Sequence, residues 1–266
     1  MVLQDTLIVT ATLGNRKTLE RTIKSVKQIG GLRVKHVIIA PEGVCAELRL
    51  MYSTIEIIPE PQSCRGIYGA LNYALKRYAK DYNYLSYIND DDFWLPAFNN
   101  LFTPLDQNSD IDVVYGRVNF VDEIGGIIGE QTSSPRYKAF GTLLKYKVVL
   151  FTQQATLMRS DLFLKLKGFD ESFKLVADSN FWLEAVKQNS KFYYYNKVCA
   201  AYTIQANQLS ANKDLQRNEH TILLSKVESK GNFNLIFEYT IFRLFNSRIY
   251  FNRILGFNMW KPSLTK

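Results

Sequence analysis

The chain has 266 residues, 47% of them hydrophobic and 22% charged, with a formal net charge of +8. That composition supplies a full hydrophobic core and excludes disorder, a collagen repeat and a small disulfide scaffold. Three cysteines without paired spacing (Cys45, Cys64, Cys199) suggest neither a disulfide framework nor a zinc site, and two isolated histidines (His36, His220) leave no basis for a histidine metal centre or a Ser/His/Asp triad. Any catalysis must therefore rest on carboxylates.

Residues 6–12 (TLIVTAT) form a β-rich run, and 15–28 carries Leu19, Ile23 and Val26 at helical spacing. A second buried strand is expected at 34–40 (VKHVIIA), a short helix at 46–52 and a third strand at 55–59. Leu71, Leu75 and Tyr78 predict a helix over 68–82, and 84–88 (YLSYI) returns to strand. Strands alternating with helices imply a mainly parallel sheet with crossover helices, whose ligands gather at the carboxyl ends of the strands. Thr12, Pro41, Glu42, Glu60 and Asn89 fall there.

The fourth strand runs directly into Asn89-Asp90-Asp91-Asp92-Phe93-Trp94. Clustered carboxylates repel one another, so such a run either holds a hard cation or serves as a solvated turn that caps the helix expected around 96–101. Further on, 122–128 (DEIGGII) carries a hairpin signal whose glycines are too close together for a phosphate loop. Residues 179–188 read as a helix with Asp178 at its N-cap.

These segments together resemble the inverting family 2 glycosyltransferases with the GT-A fold, of the bacterial surface-polysaccharide type. Thr12-Leu13-Gly14-Asn15-Arg16 is similar to the end of that family's first strand, and 60–74 (EPQSCRGIYGALNYA) resembles a Gly-Ile-Tyr-Asp-Ala-Met-Asn segment of one bacterial subgroup. Asn89-Asp90-Asp91-Asp92 stands as the acidic metal motif, followed in family order by Val114-Tyr115-Gly116, Gln153-Gln154-Ala155-Thr156, 168–173 (GFDESF) and Ala177-Asp178. The likeness spans about residues 5–210. Pro41-Glu42, Gly69 and Gln153 depart from the pattern, where the family more often has an acid, Asp and His.

The resemblance implies an α/β GT-A fold with a mixed, mainly parallel sheet, a nucleotide-binding half (1–112), an acceptor half (113–225) and an aromatic, basic helical tail (226–266). It implies Mg²⁺ or Mn²⁺ held by Asp90 and Asp92, with Asp178 as the base that takes the acceptor hydroxyl proton. Donor contacts are expected from Thr12, Leu13, Asn15, Glu42, Arg65, Asn72, Asp90, Asp91 and Gln154. Trp182 is either an acceptor-sugar platform or a core residue, since its neighbours are apolar. Asp170 and Glu171 read as turn residues. The partners expected are a UDP, GDP or dTDP sugar and a glycan or lipid-linked acceptor. Two other classes share these features. A sugar-nucleotide nucleotidyltransferase would need a better glycine-rich loop after strand one, and a non-catalytic carbohydrate-binding relative should have lost the acids.

Half of the excess charge lies in 231–266, which holds five Lys/Arg against Glu238. Arg243, Arg248 and Arg253 recur among Phe237, Phe242, Phe245, Tyr250, Phe251 and Leu255, with no acid after Glu238. The tail is expected to meet a membrane surface, or to pack on the catalytic domain or a second copy. No apolar run reaches the roughly 18 residues of a membrane span and the N-terminus has no signal-peptide pattern, so a cytoplasmic location is expected. No zinc-finger, basic-zipper or RNA-recognition signature points to nucleic acid.

Overall fold

The computed structural model describes residues 4–205, 212–227 and 232–256. Four parallel strands, β1 (Thr6–Ala11), β2 (Val34–Pro41), β3 (Glu56–Glu60) and β4 (Tyr84–Tyr87), lie in the order β3-β2-β1-β4. Helices α1 (Leu19–Gly30), α2 (Glu42–Met51) and α3 (Gly66–Tyr78) connect them. Beyond them come β5 (Phe93–Trp94), α4 (Phe102–Gln107), β6 (Val113–Val121), β7 (Ile127–Glu130), α5 (Phe140–Lys145), β8 (Thr156–Arg159) and α6 (Ser160–Lys165). Then follow α7 (Ala177–Lys187), β9 (Phe192–Thr203), α8 (Lys213–Ser225), α9 (Asn232–Phe245) and α10 (Ser247–Ile254). The sheet continues β4-β8-β6-β9-β5, with β8 antiparallel to both neighbours and β6 parallel to β9.

The core follows from strand alternation. Leu7 and Val9 of β1 point to the face covered by α3, where Leu71, Leu75 and Phe163 join them, while Ile8 points to the opposite face with Val26 of α1 and Phe102. Both faces are covered, which is why β1 reads as a continuous apolar run. The first helix begins at Leu19 rather than near 15, and the Thr18 hydroxyl just ahead of it donates to the Asp90 carbonyl (2.9 Å). The 122–128 turn forms as expected between β6 and β7, its Asp122 Oδ1 accepting from the backbone N–H of Ile124 and Gly126.

The tail docks by one face. Phe242, Asn246 and Ile249 are buried; Asn246 exchanges two bonds with the backbone of Ser133 (3.0 and 2.9 Å), and Tyr239 stacks on Tyr146. The expectation that its arginines lack acidic partners is corrected. Arg248 pairs with Glu130 of β7 (2.9 Å), Arg253 donates to the Glu130 carbonyl (2.8 Å) and Arg243 lies 3.7 Å from the centre of the Tyr250 ring. Glu130 is 118 residues from Arg248, out of reach of any local reading. The outer face stays apolar, with Phe233, Ile236, Phe237, Leu244, Phe251 and Ile254 exposed. No helix among the described residues is long and apolar enough to cross a membrane.

Candidate active site

The parallel pairing of β1 with β4 brings their carboxyl ends together, so Thr12 meets the acidic run. The Thr12 hydroxyl donates to Asp90 Oδ2 (2.6 Å) and accepts from the Gly14 N–H (3.0 Å). Arg16 extends its guanidinium over two of the three acids, Nε lying 3.2 Å from Asp90 Oδ1 and Nη1 3.5 Å from Asp91 Oδ2. The same guanidinium bonds Gln205, just beyond β9. Burial pushes the Asp90 carboxyl up to about 6, with the Asp91 charge adding to the shift and Thr12 and Arg16 opposing it.

Asp92 is different. It is fully buried, its Oδ1 accepts from the Thr203 N–H (2.8 Å), and its Oδ2 accepts from Gln154 Nε2 (2.7 Å) and Asn89 Nδ2 (3.1 Å). Desolvation raises its pKa well above the usual carboxylate range. Asp92, expected as a metal ligand, has both oxygens engaged here, one by Thr203 of β9 and the other by Gln154 and Asn89, and a cation bound there would have to replace those bonds. Asp90 and Asp91 fit a cation better. A guanidinium already sits against both, so positive charge is favoured at that point. Among the described residues no group of three or more His, Cys, Asp or Glu forms a metal cage, so a cation held by this pair needs further oxygens from a bound diphosphate or water.

Asp178 lies near enough to Tyr87 for its charge to reach that residue's hydroxyl. The Tyr87 hydroxyl is bonded to that of Tyr68 and feels the charges of both Asp178 and Asp92. Tyr68, from α3, donates to Asp178 Oδ1 (3.3 Å) and to the Leu175 carbonyl (3.2 Å). Asp178, expected as an N-cap, is instead half-buried in the first turn of α7, two residues past the N-cap Val176, and accepts from the Ser179 N–H (2.7 Å). Burial lifts its carboxyl to about 6, against the opposing bonds from Ser179 and Tyr68. A carboxylate with that value is a stronger base than an exposed one and is still ionised at neutral pH.

Two further expectations are corrected. Asn72 does not face the crevice. Its amide donates to the Phe169 carbonyl and to Glu171 (2.8 Å each) and accepts from the Phe169 N–H (2.8 Å), which fastens the 168–171 loop to α3. Gly168 is required there, because it has φ +84° and a Cβ would stand 2.4 Å from the Asn72 oxygen. Trp182 is 2% exposed and packs on Phe151, Phe181 and Phe192, so the core reading holds and the platform reading does not. Gln154 is buried beneath Asp92, and its Oε1 has no partner among the described residues. Leu13, Asn15 and Arg65 are exposed on the loops after β1 and β3, and Glu42 is exposed at the first position of α2, directly after β2.

A family model described as glycosyl transferase family 2 matches residues 7–166, more than half of the chain. The chain belongs to glycosyl transferase family 2. An uncharacterized glycosyltransferase of Methanocaldococcus jannaschii is 27% identical over 165 residues, which is 60% of this chain and 56% of that protein, so the chain spans little more than half of its curated relative. Among solved structures, S. aureus TarS 1–349 in complex with UDP-GlcNAc superposes with a TM-score of 0.62 at 13% identity, covering 97% of this chain and 76% of that one. The mannosyltransferase PcManGT from Pyrobaculum calidifontis, in complex with GDP-Man and Mn²⁺, gives 0.59 at 13% identity over 85% and 65% of the two chains. The fold is thus that of the GT-A glycosyltransferases. The family 2 match takes in the acidic run but stops at 166, so Asp178 and everything from α7 onward lie outside it.

Sequence reasoning missed Arg16, Tyr68 and Thr203 as parts of the site. Arg16 and Tyr68 stood inside quoted motifs, and the charge of Arg16 beside an acidic strand end was an available signal. Thr203 had none, since it reaches Asp92 across 111 residues.

Proposed function

We propose that this protein transfers a sugar from a nucleoside diphosphate donor to a hydroxyl of a glycan or lipid-linked acceptor, with inversion at the anomeric carbon. The observation that carries this reading is an acidic strand end under a guanidinium together with a half-buried carboxylate, Asp178, whose pKa is lifted to about 6 and whose charge, like that of Asp92, reaches Tyr87. Family 2 membership and the fold shared with proteins solved with UDP-GlcNAc and GDP-Man support it. In this reading residues 1–112 hold the nucleotide and 113–225 the acceptor.

Asp90 and Asp91 would hold Mg²⁺ or Mn²⁺, which supplies charge neutralisation to the departing diphosphate. Thr12 holds the Asp90 carboxylate in place, and Arg16 swings from the acids toward phosphate oxygens as the donor enters. Asp92, Gln154 and Thr203 keep the strand end rigid. Leu13, Asn15 and Arg65, on loops at the strand ends, and Glu42, at the start of α2, contact the nucleoside and sugar. Asp178 takes the acceptor hydroxyl proton as the oxygen attacks the anomeric carbon from the face opposite the diphosphate.

The outer face of α9 and α10 supports a location at the cytoplasmic membrane surface, where a lipid-linked acceptor resides. Incubating the protein with UDP-GlcNAc, UDP-glucose and GDP-mannose, with and without Mn²⁺, tests the reaction. Mn²⁺-dependent release of nucleoside diphosphate from at least one donor, with the inverted anomer as first product by NMR, is expected. Release with retained configuration would reject the inverting mechanism.

A further inference from the structure

Helix α8 carries a carboxylate that the reaction does not use directly. Glu219 is 5% exposed and accepts from three consecutive backbone N–H groups: Lys174 on Oε1 (2.7 Å), and Leu175 (2.8 Å) and Val176 (3.3 Å) on Oε2. These amides lie immediately ahead of α7, whose first turn holds Asp178. An anion at this end of a helix is also favoured by the helix dipole. The same stretch is gripped from its other side, because Tyr68 donates both to the Leu175 carbonyl and to Asp178. Lys226, at the far end of α8, bonds Asn180 (2.8 Å) and Asp170 (3.3 Å), so the helix spans the segment on both sides of Asp178.

We infer that Glu219 is a positioning residue for Asp178: its carboxylate fixes the 174–176 backbone so that the Asp178 oxygens and the Tyr68 hydroxyl keep their alignment. The inference rests on the reading of Asp178 as the base. A carboxylate is needed because it offers two acceptor oxygens to three donors. Glutamine has one acceptor oxygen, and its amide hydrogens would face an N–H. Freeing these amides lets the first turn of α7 shift, and small displacements of a base are costly to proton transfer. Glu219 lies outside the residues matched by the family model and 41 positions beyond Asp178, so no motif announces it.

A double-mutant cycle on the full chain tests this, with Glu219→Gln, Asp178→Asn and both together. The readout is Mn²⁺-supported hydrolysis of whichever of UDP-GlcNAc, UDP-glucose and GDP-mannose turns over fastest, alongside calorimetric affinity for the matching nucleoside diphosphate. Glu219→Gln is expected to lower kcat about tenfold with nucleotide affinity unchanged, and to cost nothing further once Asp178 is Asn, since residues that act as a unit are non-additive. Where Glu219→Gln fails to fold, Glu219→Asp, which keeps both acceptor oxygens but is one methylene too short to reach all three amides, takes its place with the same expectation. An equal loss in both backgrounds, no loss in either, or a parallel fall in nucleotide affinity overturns the positioning role while leaving Asp178 as the base. Hydrolysis undiminished by Asp178→Asn, or absent with every donor, instead rejects the functional reading and the positioning role with it.

Discussion

Asp178 has a folded-state pKa of about 6 against an ordinary value of 3.8, and this has consequences for both stability and rate. The folded protein holds the proton more tightly than the unfolded chain, so the stability contributed by this group is full below pH 3.8 and lost as pH rises through 6. Asp178→Asn cannot ionise and should be more stable than wild type at pH 8 by about 1–3 kcal/mol, the advantage vanishing below pH 4. Thermal melts of both proteins across pH check this, and a difference independent of pH would contradict it. The rate runs the other way. Wild-type kcat should rise with pH through one ionisation near 6, whereas the Asn variant should be flat and roughly 100-fold slower. Near-normal turnover in that variant would assign the base elsewhere. For Asp92 the expectation is structural: Asp92→Asn turns an amide donor onto an existing N–H donor and should cost about 1–3 kcal/mol of stability. An unchanged melting temperature with abolished Mn²⁺-dependent nucleotide binding would restore Asp92 as a ligand. That three acids end a strand was legible locally. Which of them turns inward was not, because the Thr203 N–H that receives Asp92 belongs to β9.

At the scale of elements, the strands and helices of the first 88 residues were legible because buried parallel strands leave continuous apolar runs and their helices keep a 3.6-residue stripe. The order β4-β8-β6-β9 was not, since the register of β6 on β9 is set by pairs such as Val113 with Phe192. The same distinction governs the tail. Its helices were expected from composition, but the acid that pairs with Arg248 comes from β7. With Arg248 and Arg253 engaged by Glu130, membrane attachment should draw on the exposed Phe233, Phe237, Leu244 and Phe251 more than on charge. Deleting the tail would uncover the buried Phe242 and Ile249 sites, so the better variant is Phe233→Ser with Phe237→Ser. Wild type should cosediment with anionic phosphatidylglycerol vesicles and lose less than about half of that binding between low and physiological salt, because apolar burial is not screened. The double variant should lose most of it. Failure of wild type to sediment, or equal sedimentation by the variant, would contradict a membrane role for this face.

At the scale of the whole molecule, one sheet joins β4 to β9 and so brings the acidic run, Thr203 and Gln154 into a single bonded cluster. Asp178 approaches that cluster from α7 through Tyr68 and Tyr87. In the proposed reaction this crevice binds a divalent cation and a nucleoside diphosphate together on Asp90 and Asp91. Calorimetric titration of UDP, GDP and dTDP into wild type and Asp91→Asn, each with and without Mn²⁺, tests it most directly. At least one diphosphate should bind wild type ten or more times more tightly with Mn²⁺ than without, a difference of about 1.4 kcal/mol or more, and Asp91→Asn should erase that gain. Binding of none of the three, or an Mn²⁺ enhancement that survives in Asp91→Asn, would contradict the claim.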